Sequence, residues 1–125
     1  MLRVVVGGQI AKNEIAKIIQ EQFSAEATVE IMGDIQAASA VKNGQADICL
    51  GACDTGGGGA LAMAIAILGY AGCVTVSSPG RSMEEKEIIE QVKAGKKAFG
   101  FIPEDAGRVV PIIIRTAAER YDHCR

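Results

Sequence analysis

Two hydrophobic rhythms alternate along this chain. Short runs of β-branched or small apolar residues, at 2–6, 27–32, 46–51, 73–76 and 98–102, read as strands. Between them apolar residues recur at helical spacing. Ile10, Ala11, Ile15, Ile18, Ile19 and Phe23 form the first such stripe, with Lys12, Glu14, Lys17, Gln20 and Glu21 turned to water. Asp34 is placed to cap a second helix through Ala37, Ala38, Val41 and Lys42, which Asn43-Gly44 stops. An alanine-rich third runs from Ala60 to Leu68. Ser82 and Glu85 form a capping box for a fourth, whose stripe is Met83, Ile88, Ile89 and Val92 and whose stop is Gly95. The last carries Val109, Val110, Ile113, Ile114, Ala117, Ala118 and Tyr121 on one face. Pro111 falls within it, so that helix either kinks there or starts near Gly107.

Strand and helix alternating with short links predict a single α/β domain over residues 1–125. It is doubly wound in the flavodoxin or Rossmann manner, with a five-stranded, mainly parallel sheet and helices on both faces. A strand order of 2-1-3-4-5 makes the first and third strands neighbours whose following helices leave to opposite faces, and ligands bind in the gap that results. Gly7-Gly8-Gln9 and the segment 53–59 then meet at that gap. Met32-Gly33-Asp34, the loop 77–81 and Pro103-Glu104-Asp105 lie on the same rim.

Composition narrows the function. Apolar residues make up 49% of the chain but aromatic ones only 4%, so the core is built from Ala, Val, Ile, Leu and Met. The formal charge of −2 is scattered, without the basic patch or stacking aromatics that nucleic-acid binding needs. Cys49, Cys53, Cys73 and Cys124 follow no metal-ligand spacing and the one histidine is His123, so a structural zinc is not expected; no motif calls for a cofactor. Residues 55–80 carry no charge. Gly69 and Gly72 interrupt that run, however, and its helical part is roughly 15 Å long, about half a bilayer core, so a buried helix and strand are expected rather than a membrane span. The apolar run at 2–6 is too short for a signal peptide and Gly7-Gly8-Gln9 breaks it; a cytoplasmic protein with reduced thiols is the expectation.

Candidate chemistry concentrates at Cys53-Asp54-Thr55-Gly56-Gly57-Gly58-Gly59, between a buried strand and a buried helix. Four successive glycines exceed what a turn requires; they leave amide N–H groups uncovered, and the helix start adds a positive dipole end. An anion fits there. It is not a P-loop, since Ala60-Leu61 follow Gly59, nor a dinucleotide fingerprint, since the first strand ends in Gly7-Gly8 alone. Cys53 gains thiolate character from the same field and is the candidate base or nucleophile. Asp54 turns away from the anion, bridges a metal ion, acts as a base on a neutral part of the substrate, or caps the loop, and Thr55 can cap through its hydroxyl. The anion-binding set read from the sequence is Gly8, Gln9, Thr55, Gly56, Gly57, Gly58, Gly59, Ser77, Ser78 and Arg81.

Two resemblances attach to these motifs. Val41-Lys42-Asn43-Gly44-Gln45-Ala46-Asp47, Gly51-Ala52-Cys53-Asp54-Thr55-Gly56, the run from Ala62 to Gly69 and Lys97-Ala98-Phe99-Gly100 resemble the YhfU-like bacterial family of unknown function. That likeness implies a cytoplasmic protein whose relatives tend to be encoded beside amino-acid and phosphosugar-type enzymes. In the first half, the Cys-x-Thr-Gly-x-Gly turn is similar to that of B-type ribose-phosphate isomerases and their galactose-phosphate relatives. By that likeness Cys53 is the proton-transfer base, and Thr55, Gly56 and Gly58 cradle enolate charge. Gly8-Gln9 stand where that family has an Asp-His pair, and Ala60 where it has a serine.

Three readings follow. The first is a protein that binds a small phosphorylated or carboxylated metabolite. The second is a sugar-phosphate isomerase-like enzyme with Cys53 as base. The third is a non-catalytic regulatory or scaffolding subunit whose alanine-rich helix serves an oligomer interface, a dimer being favoured. Whether the chain is an enzyme is left open by the sequence, and no nucleic-acid or membrane partner is expected.

Overall fold

A computed structural model describes residues 1–8, 10–54 and 58–123. In chain order they form β1 (Leu2–Gly8), α1 (Lys12–Gln22), β2 (Ala27–Ile31), α2 (Asp34–Lys42), β3 (Ile48–Ala52) and α3 (Gly58–Leu68). A 3₁₀ turn at Tyr70–Gly72 leads to β4 (Cys73–Thr75), β5 (Ser77–Ser78), β6 (Arg81–Ser82), α4 (Glu85–Lys93) and β7 (Ala98–Phe101). A second 3₁₀ turn, Pro103–Asp105, opens into α5 (Ala106–His123).

Five strands pair in parallel in the order β2-β1-β3-β7-β4. β1 and β3 are neighbours, as the patterning predicts, but the last two places are exchanged relative to the expected 2-1-3-4-5. The reason lies in burial. The strand Ala98–Phe101 is buried at all four positions, as an interior strand of a covered parallel sheet must be. Cys73–Thr75 passes from buried to exposed, which suits an edge. α1 and α4 pack on α5 over one face; α2 packs on α3 over the other.

The two faces are built differently. On the α1, α4 and α5 side the core holds large side chains, among them Ile15, Ile19, Phe99, Phe101, Ile113 and Ile114. On the α2 and α3 side it is mostly small: Ala37, Ala38, Ala40, Ala46, Cys49, Ala64, Cys73 and Ala98, with Val5, Val41 and Leu61. Small residues bring α2 close to the sheet. A Cβ added at Gly7 would stand 3.3 Å from that of Ala37.

Helix ends shift locally from the sequence reading. Gly33, not Asp34, is the N-cap of α2, and its N–H donates to Gln36 Oε1 at 3.2 Å. α4 starts at Glu85 with Glu84 as N-cap, whose N–H donates to Glu87 Oε1 at 3.3 Å, so the Ser82 hydroxyl is used elsewhere. Ile10 and Ala11 precede α1. Ala11 is left-handed at φ 61°, and Ile10 bridges antiparallel to Ala52. Pro111 lies in the second turn of α5, within the helix. The segment read as a loop at 77–80 is a two-stranded ribbon, β5 on β6. Pro79-Gly80 forms its turn, with Gly80 at φ 78° as a type II turn demands. No helix among the described residues is long and apolar enough to cross a membrane.

The contrast between the two faces gives a stability test. Ala37→Leu inserts three carbons into a fully buried position and is expected to cost about 1–3 kcal/mol in urea unfolding. Ala62→Leu, on the exposed side of α3, should change stability by no more than about 0.5 kcal/mol.

Candidate functional site

At the carboxyl ends of the strands, the pairing of β1 with β3 runs to its last pair, Gly8 with Ala52. Gly8 has φ 86°, and a Cβ there would stand 2.9 Å from the Ala52 nitrogen and 3.0 Å from its oxygen. Both conformation and contact therefore require glycine. The chain then turns back over β3, where Ile10 meets Ala52, and α1 leaves on one side while α3 starts at Gly58 on the other. The predicted divergence of these two helices is present, with Cys53 at the crevice.

Cys53 follows β3 directly. Its N–H donates to the Phe101 carbonyl at 3.2 Å and the residue is 5% exposed. Asp54 is exposed in the next turn. Gly58 and Gly59 open α3, an eleven-residue helix whose first N–H groups have no carbonyl partner within the helix. Gln9, Thr55, Gly56 and Gly57 lie outside the described residues.

Ser77, Ser78 and Arg81 stand further along the rim, on the far side of β7. The Ser77 hydroxyl accepts the Ile102 N–H at 3.1 Å and is almost fully buried, while Ser78 pairs with Arg81 across the ribbon and Arg81 is exposed. Cys53 and Ser77 thus flank the end of β7, two strand spacings or roughly 10 Å apart. The structure brings Gly8 and Cys53 together at the ends of the paired strands β1 and β3, against which α3 also packs, and sets the serines and Arg81 apart from them.

Of three further residues that act at the rim, the sequence sets Asp34 and Asp105 there without their bonding partners and does not single out Arg108. The Asp34 carboxylate accepts the Gly8 N–H, and it lies over Gly7, where an added Cβ would be 3.1 Å from Oδ1. A negative group therefore sits on the α2 side of the crevice. It acts with burial on Cys49, whose thiol is pushed up to about 12 by desolvation first and then by Asp34 and Cys73, against a Gly7 N–H that favours thiolate. Cys49 stays protonated and inert, the structural cysteine its strand position suggests.

The other two are Asp105 and Arg108, which hold the ribbon. Arg108 Nε and Nη2 donate to Asp105 Oδ1 and Oδ2 at 3.1 and 3.2 Å, and Nη2 also reaches the Met83 carbonyl at 2.7 Å and the Ser82 hydroxyl. Ser82 Oγ donates to Asp105 Oδ2 at 2.5 Å. Burial acts to raise the Asp105 pKa, but hydrogen bonds from Arg108 and Ser82, the Arg108 charge and a bond from Ser77 together bring it below the ordinary carboxyl value. In sequence the pair shows only as Asp-x-x-Arg at a helix start, a common surface spacing. Among the described residues no group of three or more His, Cys, Asp or Glu is placed to hold a metal ion.

Parallel β2-β1-β3-β7-β4 topology with helices on both faces defines a doubly wound α/β protein of the kind seen in B-type ribose-5-phosphate isomerases. Crystal structures of ribose-5-phosphate isomerase B from Giardia lamblia and from Thermotoga maritima superpose with TM-scores of 0.62 and 0.59. They match 90% and 98% of this chain and 94% and 96% of theirs, at 19% and 14% identity, so the likeness is one of fold. Residues 2–117 match the family described as protein of unknown function DUF2620, and the chain belongs to that family. It is 36% identical over 114 residues to the uncharacterized protein YhfU of Escherichia coli K12, and equally to that of Shigella flexneri, covering 91% of this chain and 97% of each relative.

A folded pKa lowered in Asp105 means that the ribbon clamp stabilises above the unfolded pKa and loses that contribution as pH falls through the folded value. Hydrogen exchange at Ser77 to Ser82 is expected to accelerate on acidification below pH 3.8, the ordinary value for the carboxyl, before the β1 and β3 amides respond. Arg108→Ala should open the ribbon at neutral pH at a cost of about 1 kcal/mol, discounted for its exposed setting. Unchanged protection in Arg108→Ala would contradict the clamp.

Proposed function

We propose that this chain binds a small hydroxylated metabolite bearing a phosphate or carboxylate, in the crevice between the ends of β1 and β3. The observation that carries this reading is the local topology. Two adjacent central strands end at Gly8 and Ala52, with Cys53 next in the chain, and the helices that follow them diverge to opposite faces, the arrangement at which open α/β sheets take their ligands. The anionic end faces the segment 53–59 and the first turn of α3, whose N–H groups favour negative charge. Gly8, Gln9, Thr55, Gly56, Gly57, Gly58 and Gly59 form this cradle. The Asp34 carboxylate would repel an anion, so it faces the ligand's hydroxyl groups and accepts from them. Ser77, Ser78 and Arg81 reach only a ligand long enough to cross β7.

A second reading rests on Cys53 itself. It is a nearly buried thiol just past the end of β3 and five residues before α3 begins, in a fold shared with isomerases of ribose 5-phosphate. As thiolate, Cys53 would move the proton between the two carbons of an aldose–ketose interconversion, and Asp54, exposed in the next turn, would serve as a second base.

Thermal unfolding with ribose 5-phosphate, or with a small dicarboxylate, is the test. At about 100 times its Kd a ligand should stabilise by about 2.7 kcal/mol, and Gly58→Val should remove the effect by placing side-chain atoms where the anion sits. No response to either compound, or an equal response in Gly58→Val, overturns the binding reading. The enzymatic reading further requires that Cys53 alkylate at neutral pH faster than Cys73, and that Cys53→Ala abolish interconversion.

A further inference from the structure

A groove of about 380 Å³ touches residues 73–78, six in succession. Side chains alternate between the two faces of a strand, so a cavity above one face meets every second residue. A cavity that meets all of them runs along the strand's edge. The side chains agree, since Cys73 belongs to the core on the α2 and α3 side and Val76 to the core on the other. β4 is the edge strand of the sheet. The Val76 N–H donates inward to Gly100 at 2.7 Å, and strand alternation therefore turns the N–H and C=O of Thr75 outward, into the groove.

Among the described residues, the only charged ones lining this groove are Arg81 and Lys96, both cations. Lys96 Nζ is fixed on the Ala71 carbonyl at 2.8 Å, just before β4 begins, and Arg81 pairs with Ser78 just after it ends. A positive charge thus stands at each end of an open strand edge with apolar walls from Leu61, Ile65 and Val74.

We propose that the β4 edge binds an extended acidic segment of a partner protein as an added strand. Its backbone pairs with Thr75, its apolar side chains lie against the groove walls, and its carboxylates meet Arg81 and Lys96. Six residues span about 20 Å, room for a strand of ordinary length. A second copy of this chain is the poorer occupant. Antiparallel pairing of two β4 edges about a twofold axis would oppose the Arg81 end of one copy to the Lys96 end of the other, cation on cation. The proposal does not depend on the crevice between β1 and β3.

A blocked peptide of about seven residues, alternating valine and threonine with glutamate at both ends, is the probe. Fluorescence anisotropy gives its affinity and ¹⁵N amide shifts give its place. The expected result is binding with shifts centred on Val74, Thr75 and Val76. Affinity should fall about tenfold or more when lysines replace the glutamates, and should be lost when alternate peptide nitrogens are methylated. The paired variant Arg81→Glu with Lys96→Glu should reverse the preference between the two charged peptides. The peptide controls need no change in the protein, so they stand even if that variant folds poorly. Equal affinity for both charged peptides, shifts outside residues 73–78, or self-association of the chain through β4 overturns the proposal. So does an absence of binding, which would leave Arg81 and Lys96 as guards of an idle edge.

Discussion

Everything at the carboxyl rim depends on how closely β1 lies against β3. Their pairing continues to the last residue of each, and it can do so because Gly8 carries no side chain where one would collide with the Ala52 backbone. The same closeness lets Asp34 lean over Gly7 to accept the Gly8 N–H, and it turns the chain back so that Ile10 bridges Ala52. Three separate segments are thereby fixed around Cys53. Any side chain at Gly8 would disturb all of them at once, since the strained φ, the steric contact and the Asp34 bond share one residue.

The unequal faces of the sheet extend this constraint outward. Large residues on the α1, α4 and α5 side supply most of the apolar burial, while the alanine- and cysteine-rich side lets α2 and α3 approach the strands. Through that approach α3 packs against β1, β3 and β7. The cost is an α3 with little polar surface: Met63 remains 38% exposed, and Tyr70 just beyond the helix 82%. At the far edge, the Asp105–Arg108 clamp secures the ribbon that carries Arg81 and so defines one end of the β4 groove.

Much of this was legible in the sequence because it rests on periodicity. The five strands, the five helices and the adjacency of β1 and β3 follow from alternating hydrophobic runs and short links, and Cys53 was placed at a strand end by the apolar run before it. What escaped depends on contacts between distant segments. Residues 73–76 and 98–102 are both short and apolar, and only packing decides which becomes interior, so their order was misplaced. Asp34 and Ser82 carry ordinary capping patterns, yet each side chain bonds outside its own helix, to Gly8 and to Asp105. Arg108 shows locally only as a common Asp-x-x-Arg spacing, because its other partners lie 25 and 26 positions away.

The crevice between β1 and β3 as an anion site is tested most directly by amide chemical shifts during titration with inorganic phosphate and then ribose 5-phosphate. Saturable shifts are expected at Gly8, Cys53, Gly58 and Gly59 with both compounds, and larger ones with the sugar phosphate as its hydroxyls engage Asp34. Shifts confined to the β4 edge, or none at Gly58 and Gly59, would contradict it.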